Sequence, residues 1–130
     1  MRGEEKSESM KVESYRDLLV WQKAIELVKE IYSLVAFLPK KETFALSDQM
    51  RRAVVSIPSN IAEGKMRTSV KEYSNFLSIA LGSNGELDTQ LIICNELGYL
   101  DKKQCEKAFA LIVEIRKMLL VMKKHLVSKT

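Results

Sequence analysis

The chain has 130 residues, a length that fits one domain and can bury a core without metal or disulfide staples. Hydrophobic residues make up 46% and charged residues 29%, with only two prolines and five glycines, which excludes a disordered or loop-rich chain. Net charge is +4, and the first thirteen residues carry −1, so the remainder holds +5, an excess compatible with nucleic acid or an acidic partner as well as with a plain solvated surface.

Residues 1–13 are polar and mixed in charge, and the expectation is a disordered leader followed by a domain over 14–127. The first helix is expected from Ser14 to Leu38, with Ser14 or Asp17 as N-cap and Pro39 ending it. Its apolar stripe runs Leu18, Trp21, Ile25, Val28, Tyr32, Val35, at steps of three and four. The second helix starts near Thr43, buries Leu46, Met50, Val54, Ile57 and Ile61, and closes on Gly64 as C-cap. Pro58 lies inside that stripe. Because the stripe stays in phase to Ile61, a kinked continuous helix is expected rather than two pieces.

The third helix opens at Thr68 or Ser69, where Ser69 and Glu72 fit a capping box. Tyr73, Leu77, Ala80, Leu87, Leu91 and Cys94 form its stripe, Asn84 interrupts it, and Gly98 closes it. Asp101 and Gln104 fit a second capping box, and Ala108, Leu111, Ile115, Leu119, Met122 and Leu126 follow in the fourth helix. Four amphipathic helices on short turns predict an all-α, antiparallel up-down-up-down four-helix bundle.

Residue types for catalysis are missing. His125 is the only histidine, so a di-iron carboxylate site lacks its ligands. There is no glycine-rich phosphate loop, serine elbow or CxxC. No enzyme activity, metal or cofactor is expected. Cys94 and Cys105 flank one turn and are expected as reduced core thiols. No apolar run reaches the roughly 20 residues needed to span a bilayer, and no signal peptide is visible, so a cytoplasmic chain is expected.

Two features exceed a generic bundle. Small residues line the third helix at Ser74, Ser78, Gly82, Gly85 and Thr89, away from its core stripe and flanked by Ile79 and Ile93. Each internal glycine costs roughly 1 kcal/mol against alanine, which close approach of another protomer's helix would offset. Ser78, Gly82, Gly85, Thr89 and Ile93 are therefore candidate oligomer-interface residues, the alternative being glycines that only bend the helix. The second feature is a set of cations, Arg51, Arg52, Lys65, Arg67 and Lys71, with guanidinium forks suited to phosphate. Asp48 and Glu63 are placed to pair with Arg52, whereas Arg67 and Lys71 are less obviously paired. No aromatic interleaves with them in sequence, which argues against a stacking platform for single strands.

The segments Asp17-Leu18-Leu19-Val20-Trp21-Gln22-Lys23-Ala24 and Gln49-Met50-Arg51-Arg52-Ala53-Val54-Val55-Ser56-Ile57-Pro58-Ser59-Asn60-Ile61-Ala62-Glu63-Gly64 resemble the four-helix-bundle proteins encoded in intervening sequences of large-subunit ribosomal RNA genes. Lys71-Glu72-Tyr73, Phe76-Leu77, Ala80-Leu81-Gly82-Ser83 and Glu86-Leu87 are similar to that family's third helix. The resemblance covers Tyr15 to Leu126. It implies a ring-like homopentamer and kinship with the nucleic-acid-binding accessory protein of diversity-generating retroelements. The chain departs from the family pattern at Ala45, where glycine is expected, and at Asn84-Gly85, in a stretch usually more apolar. The functional expectation is a non-enzymatic homo-oligomer that associates with nucleic acid, RNA above DNA. The alternative is a scaffold that recruits a protein partner.

Overall fold

The computed structural model describes residues 14–128. The expected 1–13 leader lies outside the described residues. Four helices form, α1 (Leu19–Val35), α2 (Leu46–Lys65), α3 (Val70–Glu96) and α4 (Lys102–Ser128), with short 3₁₀ turns at Tyr15–Asp17 and Lys40–Glu42. No strand occurs among the described residues. Each helix packs on its chain neighbour, and α4 closes the bundle against α1.

Contacts between the helices run in opposite sequence directions. Ser56 meets Ser83 while Gly64 meets Phe76. Ser78, Asn84 and Asn95 meet Lys123, Ile112 and Cys105. Lys23 pairs with Glu114 and Glu26 with Lys107. The sequential helices therefore alternate up and down, the order that short connections impose. One apolar cluster from Val20 to Leu119 joins all four helices.

The expected stripes of α2, α3 and α4 are the buried ones, with Met50, Val54, Ile57, Ile61, Leu77, Leu87, Leu91, Ile115 and Leu119 all buried. The stripe expected for α1 is corrected in part. Its core row is Val20, Ala24, Leu27, Ile31 and Leu34, about 100° round from Ile25 and Tyr32, while Val35 of the expected stripe is buried and Leu18, Trp21 and Val28 pack against the core. About half of the helix circumference is apolar, wide enough that periodicity alone fits both rows. Ala24 lets a neighbour approach, while Trp21 stays on the flank, edge-on to Tyr15 with ring centroids 5.4 Å apart.

Helix ends also differ from expectation. Ser14 caps the first 3₁₀ turn, not α1, whose N-cap position is Leu18 rather than Asp17. α1 stops at Val35 because its last carbonyls turn to i→i+3 bonds, Phe37 N–H to Leu34 and Leu38 N–H to Val35, ahead of Pro39. α2 runs unbroken through Pro58, and Asn60 Nδ2 donates to the Ser56 carbonyl at 2.8 Å beside the proline. Gly64 is not a C-cap. It lies one residue before the helix end, and a Cβ there would stand 2.9 Å from Phe76 Cβ and 3.0 Å from Tyr73 Cδ1. Its lack of a side chain lets α2 and α3 approach at the turn that joins them.

Gly98 ends α3 as expected, at φ +75°, with Tyr99 N–H on the Cys94 carbonyl and Gly98 N–H on that of Asn95, a Schellman closure. Asp101 and Gln104 exchange both capping bonds, at 2.7 and 2.9 Å. Ser69 accepts from Glu72 N–H at 3.1 Å.

Candidate nucleic-acid interface

Arg51 and Arg52 lie in the second turn of α2, Lys65 is its last residue, Arg67 sits in the following turn, and Lys71 occupies the first turn of α3. Arg51 and Lys65 are fourteen residues apart on one helix, about 21 Å along its axis. The five cations thus form two groups, not one.

At the turn, Arg67 is heavily engaged, which corrects the expectation that it was poorly paired. One Nη lies 2.6 Å from Glu63, the other 3.6 Å from Glu72, and the guanidinium carbon sits 4.8 Å over the Phe76 ring. Glu63 therefore serves Arg67, and Arg52 takes Asp48, at 3.0 Å. Lys65 and Lys71 have no carboxylate partner among the described residues and remain open to an external anion. Their ammonium groups act as point charges, suited to phosphate contact without base reading.

In the second turn of α2, Arg51 donates one Nη to the Thr43 carbonyl at 3.2 Å and has no carboxylate partner among the described residues. Arg52 is held through Nε alone, with its side chain 80% exposed, so both Nη groups stay available. Ser56 Oγ is tied to Ser83 Oγ at 2.7 Å and accepts from Asn60, which fixes this stretch of α2 against α3. The sequence reading missed Tyr32, which α1 brings beside both arginines in an open groove. Its helical spacing predicts a core position, but the side chain is exposed.

The small-residue strip is on open surface. Ser78, Gly82, Gly85, Thr89 and Ile93 are all exposed, and nothing lies within 4 Å of a Cβ built on Gly82 or Gly85. Packing within the chain therefore does not account for these glycines. Ile79, Ile92 and Ile93 add exposed apolar area on the same helix.

Asn84 is buried, donates to the Ile112 carbonyl at 2.9 Å and leaves its Oδ1 without a partner. Cys94 and Cys105 are buried free thiols. Burial first, then the nearby Cys105 and Glu42, pushes the Cys94 thiol up to about 11, and burial raises Cys105 too. Such thiols stay protonated and inert. Among the described residues no group of three or more His, Cys, Asp or Glu side chains is placed to hold a metal, and no helix is long and apolar enough to cross a membrane.

The family model for the 23S rRNA-intervening sequence protein matches residues 16–121. A crystal structure of a protein of unknown function from the S23 ribosomal protein family of Bacteroides thetaiotaomicron is similar, with 30% identity and a TM-score of 0.76. The match covers 82% of this chain and 99% of that one. No curated protein matches.

Proposed function

The chain belongs to the 23S rRNA-intervening sequence protein family, and from that membership we propose a non-enzymatic, cytoplasmic homo-oligomer, a homopentamer by the family resemblance, that associates with RNA through a basic surface. The observation that carries this reading is the set of cations on α2 and the first turn of α3 that no carboxylate fully occupies among the described residues: Arg51, the Nη groups of Arg52, Lys65 and Lys71. Arg67 offsets the two acids of this turn by pairing with Glu63 and Glu72. Four cations on one protomer bind weakly, and a ring repeats them, so contacts add through multivalency. The ring contact is assigned to the exposed strip Ser78, Gly82, Gly85, Thr89 and Ile93, whose glycines have no intrachain use.

Replacing Lys65 and Lys71 together by alanine tests the surface. RNA affinity should fall alike for unrelated sequences, and the dependence on salt should flatten. Helical content should be unchanged, because exposed charges contribute little to stability. Unchanged affinity and slope would remove the turn from the site.

A second reading, a scaffold for a protein partner, is favoured by an apolar groove of about 380 Å³ between the start of α1 and the later turns of α4. Leu18, Leu19, Met118, Val121 and Met122 line it, with Lys117 as its one charged residue. Under that reading RNA does not bind at low salt and the groove recruits an apolar helix face.

A further inference from the structure

The fold adds to the cations an aromatic ring that they lack in sequence. Tyr32, Asp48, Arg51, Arg52, Val55 and Ser56 line an open groove of about 470 Å³ between α1 and α2. A second groove of about 330 Å³ shares Tyr32 and Arg51 and reaches Lys40, Thr43 and Ser47. Together they extend from Ser47 to Ser56 along α2, about 14 Å. Tyr32 and Arg51 belong to both.

Tyr32 is 46% exposed. A half-exposed tyrosine on a helix gains little from burial, and this one lines both grooves. Arg51 and Arg52 bring guanidinium N–H groups that no carboxylate fully occupies, and Asp48, the one acid in the groove, is already spent on Arg52 Nε. Exposed Val55 gives the groove an apolar margin. A ring face with an apolar margin takes a flat heterocycle, and guanidinium forks take phosphate. A nucleotide carries both, but only an unpaired base has a free face, since duplex bases are stacked on each other.

We propose that this groove is a single-strand subsite: an unpaired RNA base stacks on Tyr32 while its flanking phosphates sit on Arg51 and Arg52. The inference rests on the RNA reading above and specifies which form of RNA is bound. Lys65 and Lys71, distant from the ring, then serve the backbone of either form. The arrangement favours loops, bulges and ends over continuous duplex, without choosing between bases, because every base has a π face.

The test measures binding of a short labelled single-stranded RNA, and of the same strand annealed into a blunt duplex, to the full chain at one fixed low salt concentration. Tyr32→Leu should weaken single-strand binding by about tenfold and leave duplex binding unchanged. Its salt slope should match the parent's, because no charge is removed. Tyr32→Phe keeps the ring and should bind like the parent, which separates stacking from loss of fold. Arg51→Gln should lower affinity for the single strand and flatten its salt slope. If Tyr32→Leu binds the single strand as tightly as the parent, or loses equally on both forms, the subsite is wrong while the RNA reading stands. If the parent binds neither form, both fall together, and the groove goes to a protein partner.

Discussion

Gly64 sits tight against Tyr73 and Phe76 of α3, and the substitution that tests this is the smallest available. In Gly64→Ala the new methyl meets Phe76 Cβ at 2.9 Å and the Tyr73 carbonyl at 3.3 Å, groups fixed to the backbone. Overpacking of this kind costs about 1–3 kcal/mol, even though alanine favours helix. The urea midpoint should fall with the slope unchanged; an equal or higher midpoint would show that the turn relaxes. Cys94 gives a second residue-level prediction. Its thiol rises from 9.0 to about 11 on folding. Below pH 9 both states keep the proton and the group leaves stability alone. Between about pH 9 and 11 the unfolded thiol ionises first, so folding should weaken with rising pH. Cys94→Ser introduces a hydroxyl that does not ionise in that window, and its stability curve there should be flatter than the parent's. The sequence showed Gly64 only as a glycine near a helix end, and a cap is the cheaper use for one. Close approach became visible once α3 was placed against it.

Among the elements, α2 to α4 were legible because each carries one apolar stripe, and at the starts of α3 and α4 and the end of α3 capping residues mark the boundary. Asp101 with Gln104, and Gly98, work as their local chemistry predicts, while Ser69 makes only the forward half of its capping box and Glu72 turns to Arg67 instead. α1 was not, since the apolar residues from Leu18 to Leu38 cover two adjacent rows and only packing chooses between them. That choice moved Tyr32 from the expected core to the surface, and with it the ring of the proposed subsite. Proline inside α2 was legible as continuity, because Ile57 and Ile61 remain in phase on either side of Pro58 and both are fully buried. At the α3–α4 turn, Gly98→Ala should cost about 1 kcal/mol or more, because φ +75° disfavours a Cβ. Open space around the site gives no contact that could offset it. Thermal melting should show the loss; an unchanged melting temperature would mean that the closure tolerates a switch of backbone region.

At the scale of the whole molecule, the exposed strip on α3 and the cations on α2 were both visible as residue patterns, but not their relation to the fold. The structure places the strip in open solvent, where Gly82→Ala alone would gain roughly 1 kcal/mol of helix propensity in an isolated bundle. If protomers meet there, Gly82→Leu blocks the approach, and light scattering should report a monomer whose circular dichroism is still helical. Retention of the full mass would assign the glycines another role. The same variant should bind RNA more weakly than the parent, since each protomer then holds its few cations alone. The account depends most on phosphate recognition by these cations. Affinity of the parent for labelled single-stranded RNA, measured across a series of salt concentrations, tests it directly. Counterion release predicts that the logarithm of the association constant falls linearly with the logarithm of salt. Binding that ignores salt, or no binding at low ionic strength, would contradict it.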